Sequence, residues 1–80
     1  MKLYTVYIIK LANGSYYVGR TDNFERRFRE HYKGQQRTTR NFLPVKLITV
    51  VNFTNKDLAI KFEKYLKTGS GIAFRNRHLV

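Results

Sequence analysis

The chain predicts a small α/β fold: a three-stranded antiparallel sheet flanked by helices, in the order β-β-α-β-α. Three observations carry that expectation. Two segments rich in Val, Ile and Tyr stand on either side of an Asn13-Gly14 turn signal. Two capping signatures, Asp22 with Glu25 and Thr54 with Asp57, each open a stretch with helical apolar spacing. Between those helices lies one more strand-like run, Val45 to Phe53.

Lys2 to Leu11 and Ser15 to Arg20 read as the strands of a hairpin. A three-residue loop, Ala12-Asn13-Gly14 with Gly14 left-handed, pairs Tyr7 with Gly19 and Ile9 with Tyr17. Side chains alternate along a strand, so Tyr7, Ile9, Tyr17 and Gly19 then share one face, and Gly19 leaves room beside the Tyr7 ring. A two-residue loop would put the tyrosines on opposite faces, so the reading depends on register.

Asp22 as N-cap, with Glu25 closing the box, starts a helix from Asn23 to Lys33 whose buried stripe is Phe24, Phe28 and Tyr32. Gly34 ends it. The polar stretch Gln35 to Asn41 is expected to be an exposed loop carrying Arg37 and Arg40 towards Pro44. Thr54 and Asp57 start a second helix from Asn55 to Thr68, which Gly69-Ser70-Gly71 breaks. Ile72 to Val80 reads as a short tail with room for one helical turn. No repeat or linker divides the chain, so residues 1–80 are expected to form a single domain.

A chain of 80 residues has a thin core, and the six Tyr and six Phe supply much of it. Sixteen Lys plus Arg against five Asp plus Glu give a net charge of +11, a field that draws polyanions, with nucleic acid foremost. Solubility or an anionic membrane surface are the plainer uses of such charge. No apolar run approaches the roughly 20 residues that a membrane helix needs, and Met1-Lys2-Leu3-Tyr4 lacks the apolar region of a signal peptide. The absence of cysteine removes disulfides and thiolate metal sites and accords with a cytoplasmic setting.

The acidic residues are few enough to audit. Asp22, Glu25 and Asp57 have duties at helix starts, which leaves Glu30 and Glu63. Glu63 borders the apolar side of its helix and so is placed to face the sheet; the plain alternative is a surface ion pair with Lys67, worth at most about 0.5 kcal/mol. On the first helix Arg27 and His31 point the same way, towards the end of the hairpin that displays the tyrosines. The usual use of such an Arg-rich helix is a solvated face that meets phosphate non-specifically.

These residues resemble the GIY-YIG nuclease superfamily. Thr5-Val6-Tyr7 stands for the first triplet and Tyr17-Val18-Gly19 for the second. The likeness continues through Thr21 and Glu25-Arg26-Arg27-Phe28, with Arg27 on the family's helix arginine and His31 on its frequent histidine. It extends through Ala59, Glu63 and Lys67, with Glu63 on the metal-binding glutamate, and reaches the Gly69-Ser70-Gly71 tail of short stand-alone members. Thr5 replaces a glycine of the family pattern, and the family's carboxy-terminal asparagine has no secure counterpart, since Asn76 lies in the tail.

The resemblance implies an endonuclease that hydrolyses DNA phosphodiesters with one divalent metal, Mg²⁺ or Mn²⁺, in repair or recombination, with RNA left open as a substrate. The chemistry of the residues agrees. Glu63 offers the hard oxygen ligand, Arg27 a two-pronged contact to the phosphate, and Tyr7 a group to orient or deprotonate water if nearby positive charge lowers its pKa. Tyr17 positions Tyr7, the water or the phosphate, and His31 relays a proton or binds phosphate. For both tyrosines the plain alternative is cross-strand packing. Arg20, Arg26, Lys33, Arg37, Arg40 and Lys67 are the expected contacts to the nucleic-acid backbone. A second reading is a noncatalytic module in which Tyr4, Tyr16 and Tyr17 stack bases. A third is a protein-interaction domain. So small a body leaves targeting to a homodimer or a partner protein.

Overall fold

The computed structural model describes residues Met1–Val80. Its central strand is β1 (Tyr4–Lys10), hydrogen-bonded on one side to β2 (Tyr16–Thr21) and on the other to β3 (Lys46–Phe53), all antiparallel, in the order β2-β1-β3. The hairpin takes the expected register, with Tyr7 opposite Gly19 and Ile9 opposite Tyr17. Gly14, at φ 86°, occupies the left-handed position that the turn requires. Asn13 Oδ1 fixes the loop by accepting from the Ser15 N–H at 3.0 Å and the Ser15 hydroxyl at 2.6 Å.

Strand alternation divides the molecule. One face of the sheet carries Val6, Ile8 and Val18, which pack on Ala59 of α2 (Lys56–Tyr65) and on Leu66 at its end. The other carries Tyr7 and Ile9, which pack with Val45, Tyr17 and two aromatics of α1 (Phe24–Tyr32), Phe24 and Phe28. Tyr7, Ile9, Tyr17 and Gly19 therefore do share a face, and it is the face beneath α1.

Several local expectations are corrected. The cap of α1 is Asn23, whose side chain accepts from the Arg26 N–H at 3.2 Å. Asp22 instead pairs with Lys2 at 3.1 Å, because the Asn23 N–H bonds the Thr21 hydroxyl at 3.0 Å and carries the turn one residue further. Likewise Asn55, not Thr54, caps α2 by accepting from the Leu58 N–H at 3.1 Å. On α1 the residue with no exposure is His31, whereas Tyr32, expected in the buried stripe, is 65% exposed.

The largest correction is the tail. Gly69–His78 forms a third helix, α3, capped by Thr68, whose hydroxyl accepts from the Gly71 N–H at 3.1 Å and donates to the Tyr65 carbonyl at 2.7 Å. Gly71 is there for close approach: a Cβ on it would overlap the Tyr65 carbonyl and the backbone of Leu66. The glycine cluster thus turns the chain between two helices instead of ending helical structure.

Candidate active site

The hairpin delivers Tyr7 to the middle of the α1 face, where its ring lies wholly buried over Gly19. A Cβ at Gly19 would collide with the Tyr7 hydroxyl and the ring carbon that bears it, so glycine at this position is what seats the tyrosine. The Tyr7 hydroxyl and His31 Nε2 lie 2.8 Å apart. The other ring nitrogen, Nδ1, lies 2.8 Å from the Thr39 hydroxyl, and Thr39 is fully buried too. Tyr17 is half-buried at the border of this cluster, its ring 6.4 Å from Tyr7 and 5.2 Å from His31.

The electrostatics run against one expectation. Tyr7 is pushed well above the ordinary tyrosine value, chiefly by burial, with a smaller contribution from Tyr17; the Arg27 guanidinium pulls the other way and loses. Tyr7 is therefore a protonated phenol at neutral pH and not a base prepared by surrounding charge. His31 is held below its ordinary value by burial and by Arg27, with Glu30 opposing, and so is neutral. Arg27 adjoins both groups. Its Nε is 3.3 Å from Glu30 Oε1, but the N–H is not aimed at the carboxylate, and this buried donor makes no hydrogen bond.

Glu63 comes from α2, on the other side of the sheet. Burial would raise its pKa, but Lys67 at 2.6 Å and Arg20 at 3.2 Å together outweigh that and hold the carboxyl below its ordinary range. The plain expectation of an ion pair with Lys67 is thus met, with Arg20 added. No hydrogen bond or ion pair joins Glu63 to Tyr7, Tyr17, Arg27 or His31. The link is Arg20, which touches Glu63 and also lines a cavity of about 270 Å³ with Arg27, Lys2, Tyr4, Thr21, Asp22 and Lys56.

Of the other expected backbone contacts, Arg26, Lys33, Arg37 and Arg40 are exposed, and Lys67 is engaged by Glu63. Asn76, on α3, accepts from the Arg75 guanidinium at 3.1 and 3.2 Å. Thr39 is the residue that sequence reasoning missed. It sits in a stretch read as exposed loop, and its burial and its contact with His31 distinguish it from the exposed Thr38 beside it.

The match to the GIY-YIG catalytic domain family extends over residues 3–73. The chain belongs to that family. It is 40% identical to a UPF0213 protein of Streptococcus pneumoniae over 63 residues, which are 78% of this chain and 64% of that protein. It is 35% identical to a UPF0213 protein of Lactococcus lactis subsp. cremoris over 68 residues, 84% of this chain and 69% of that one. The chain thus spans about two-thirds of the length of these relatives. The solution structure of a UPF0213 protein from Bacillus halodurans superimposes with a TM-score of 0.62 at 29% identity, covering 94% of this chain and 81% of that one. GIY-YIG domains form a nuclease-type hydrolase family, which generally acts on DNA and uses a divalent metal. No helix here is long and apolar enough to cross a membrane.

No group of three or more His, Cys, Asp or Glu gathers anywhere in the structure, so the residues do not make an all-protein metal cage. They do fit Mg²⁺ or Mn²⁺ as a site of one carboxylate, Glu63, completed by water and substrate phosphate, provided Arg20 and Lys67 give up its oxygens.

Proposed function

We propose that this protein is a metal-dependent endonuclease hydrolysing DNA phosphodiester bonds in repair or recombination. The observation that supports this most is the cavity beside β2. Four cationic side chains, Lys2, Arg20, Arg27 and Lys56, face one carboxylate, Asp22, and the buried Arg27 Nε–H has no hydrogen-bond acceptor. A phosphate in the cavity balances that charge, and Arg27, turned towards it, gains the acceptor that its Nε–H lacks.

In this reading the phosphodiester enters the cavity, and Arg27 holds the scissile phosphate as negative charge builds on it. Arg20 exchanges Glu63 for the same or a neighbouring phosphate. Glu63, once freed from both Arg20 and Lys67, would hold the divalent ion, whose charge would offset that on the phosphate and leaving oxygens. Tyr17, the half-exposed tyrosine, orients the attacking water. Tyr7 is wholly buried, so the water reaches its hydroxyl only once the Tyr17 ring at the border moves aside; Tyr7 then passes its proton to the neutral His31 and takes one from that water, so the pair serves as the proton sink. The positive surface of Arg26, Lys33, Arg37 and Arg40 holds the flanking backbone.

A second reading, a noncatalytic nucleic-acid-binding module, draws support from the ion pairs that occupy both Glu63 oxygens. Labelled linear, single-stranded and branched DNAs, incubated with Mg²⁺, with Mn²⁺ and with chelator, separate the two. The nuclease reading expects cleavage that chelator and Glu63→Gln abolish, with DNA affinity kept within a few-fold. Binding indifferent to metal, with no cleavage of any DNA, would overturn it.

A further inference from the structure

His31 lies wholly buried between two hydroxyls, with Tyr7 on Nε2 and Thr39 on Nδ1, each at 2.8 Å. A neutral imidazole has one N–H and one lone pair, so the two contacts run in opposite senses. Which nitrogen carries the proton is decided by the partners. A phenol is intrinsically far more acidic than an aliphatic hydroxyl, and burial weakens both buried donors in the same sense, so Tyr7 remains the better donor and donates to Nε2. Nδ1 then carries the hydrogen, and Thr39 Oγ1 accepts it. Arg27, Glu30 and Tyr17 also face the ring, but none of them hydrogen-bonds either nitrogen.

Thr39 is held rigidly enough for this task. Its N–H donates to the Gln36 carbonyl at 3.2 Å, and its carbonyl accepts from the Phe42 N–H at 2.9 Å. The same turn is tied back to α1 twice at Glu30: the Gln35 N–H reaches the Glu30 carbonyl at 2.8 Å, and the Gln36 amide reaches the Glu30 carboxylate at 2.7 Å. Two hydroxyls and a histidine, all without solvent exposure, have no alternative partner in water.

We infer that Thr39 is a positioning residue that fixes His31 as the tautomer with its lone pair at Nε2, and so makes His31 the acceptor of the Tyr7 proton. The inference rests on the nuclease reading for its catalytic consequence but not for its geometry. The proton lost by Tyr7 oxygen forms the new Nε2–H bond, Nδ1–H stays donated to Thr39, and the resulting imidazolium is hydrogen-bonded at both nitrogens.

The test uses the full ¹⁵N-labelled chain and reads the His31 ring nitrogens by NMR, with no substrate or metal. The expected result is a protonated Nδ1 and an unprotonated Nε2. Thr39→Val, which keeps the shape and removes the acceptor, is expected to shift His31 towards the other tautomer. In single-turnover cleavage it is expected to lose roughly 10- to 100-fold in rate at unchanged DNA affinity, as the loss of a residue that orients an active imidazole does. Thr39→Ser is expected to restore both readouts. A wild-type His31 protonated at Nε2 would overturn the inference whatever the fate of the variants. So would Thr39→Val with wild-type tautomer and rate. If the wild-type chain cleaves nothing, the nuclease reading fails while the tautomer assignment still stands or falls on the NMR result.

Discussion

The two faces of one sheet are built on opposite principles. The face under α2 is dry and apolar: Val6, Ile8, Val18, Ala59 and Leu66 pack with no polar side chain among them. The face under α1 buries polar groups, Tyr7, His31 and Thr39, and satisfies them only through one another. Apolar burial is non-directional and tolerates repacking, whereas a buried hydrogen-bonded chain fails when one member is removed. The first face holds the fold; the second uses that rigidity to hold the orientation of three side chains.

The comparison breaks most visibly at Leu66. Leu66→Ala is expected to cost about 2–5 kcal/mol of stability, read by denaturant unfolding, while the cleavage rate per folded molecule stays near wild type. A rate loss beyond the folded fraction would show that the apolar face takes part in the chemistry. The converse is Arg27→Ala, expected to lose about 10²–10³ in single-turnover rate, the scale of a removed donor to developing charge. Its melting temperature is expected to change little. If DNA affinity falls as much as rate, Arg27 is only a phosphate clamp.

Tyr7→Phe sharpens the contrast because it strikes both properties. It leaves His31 Nε2 buried without a partner, which costs about 1–3 kcal/mol of stability, and it removes the proton donor, for an expected rate loss of about 10²-fold or more. Tyr17→Phe is expected to be milder in both readouts, its ring being half-exposed. Wild-type rates for both variants would mean the tyrosines are packing alone.

The pH dependence of stability follows from His31. Its pKa is lowered on folding, so between its unfolded value of 6.5 and the lower folded one the unfolded chain binds more protons. Stability is therefore full above about pH 6.5 and falls as the pH drops below it, by at most about 1.4 kcal/mol per pH unit from this one group. His31→Gln is expected to flatten that region of a denaturation series, and an unchanged slope would assign it elsewhere. The smallest effects belong to the exposed loop cations: Arg37→Ala and Arg40→Ala are each expected to reduce the salt dependence of DNA binding by about one counterion, without altering cleavage at saturation.

Local chemistry in the sequence was enough to place the strands, the hairpin register and the joint presentation of Tyr7, Tyr17 and Gly19. A turn with Gly14 left-handed and strict alternation leave no freedom once the loop length is set. Arg27 and His31 were likewise legible, since helical spacing puts them on one side of α1. Caps were misplaced by one residue because neighbouring Asp22 and Asn23, or Thr54 and Asn55, are equally competent caps, and nearby contacts choose between them. Helix α3 was missed because three residues read as a breaker are in fact a close crossing, visible only when Gly71 meets the Tyr65 carbonyl.

Composition and periodicity fixed a basic, aromatic-rich α/β chain with its tyrosines on one face. Three-dimensional packing alone decided what surrounds each ionisable group, and therefore its chemistry. Burial, which no linear pattern reports, raised Tyr7 where charge was expected to lower it. It also paired His31 with Thr39, eight positions on in a loop that reads as solvent-exposed. And it set Glu63 against Arg20, 43 positions away on the edge strand, so that a carboxylate from the α2 side of the sheet meets an arginine that also lines a cavity with Arg27. Spacing governs what neighbours in sequence do, whereas these contacts depend on how far the chain closes on itself.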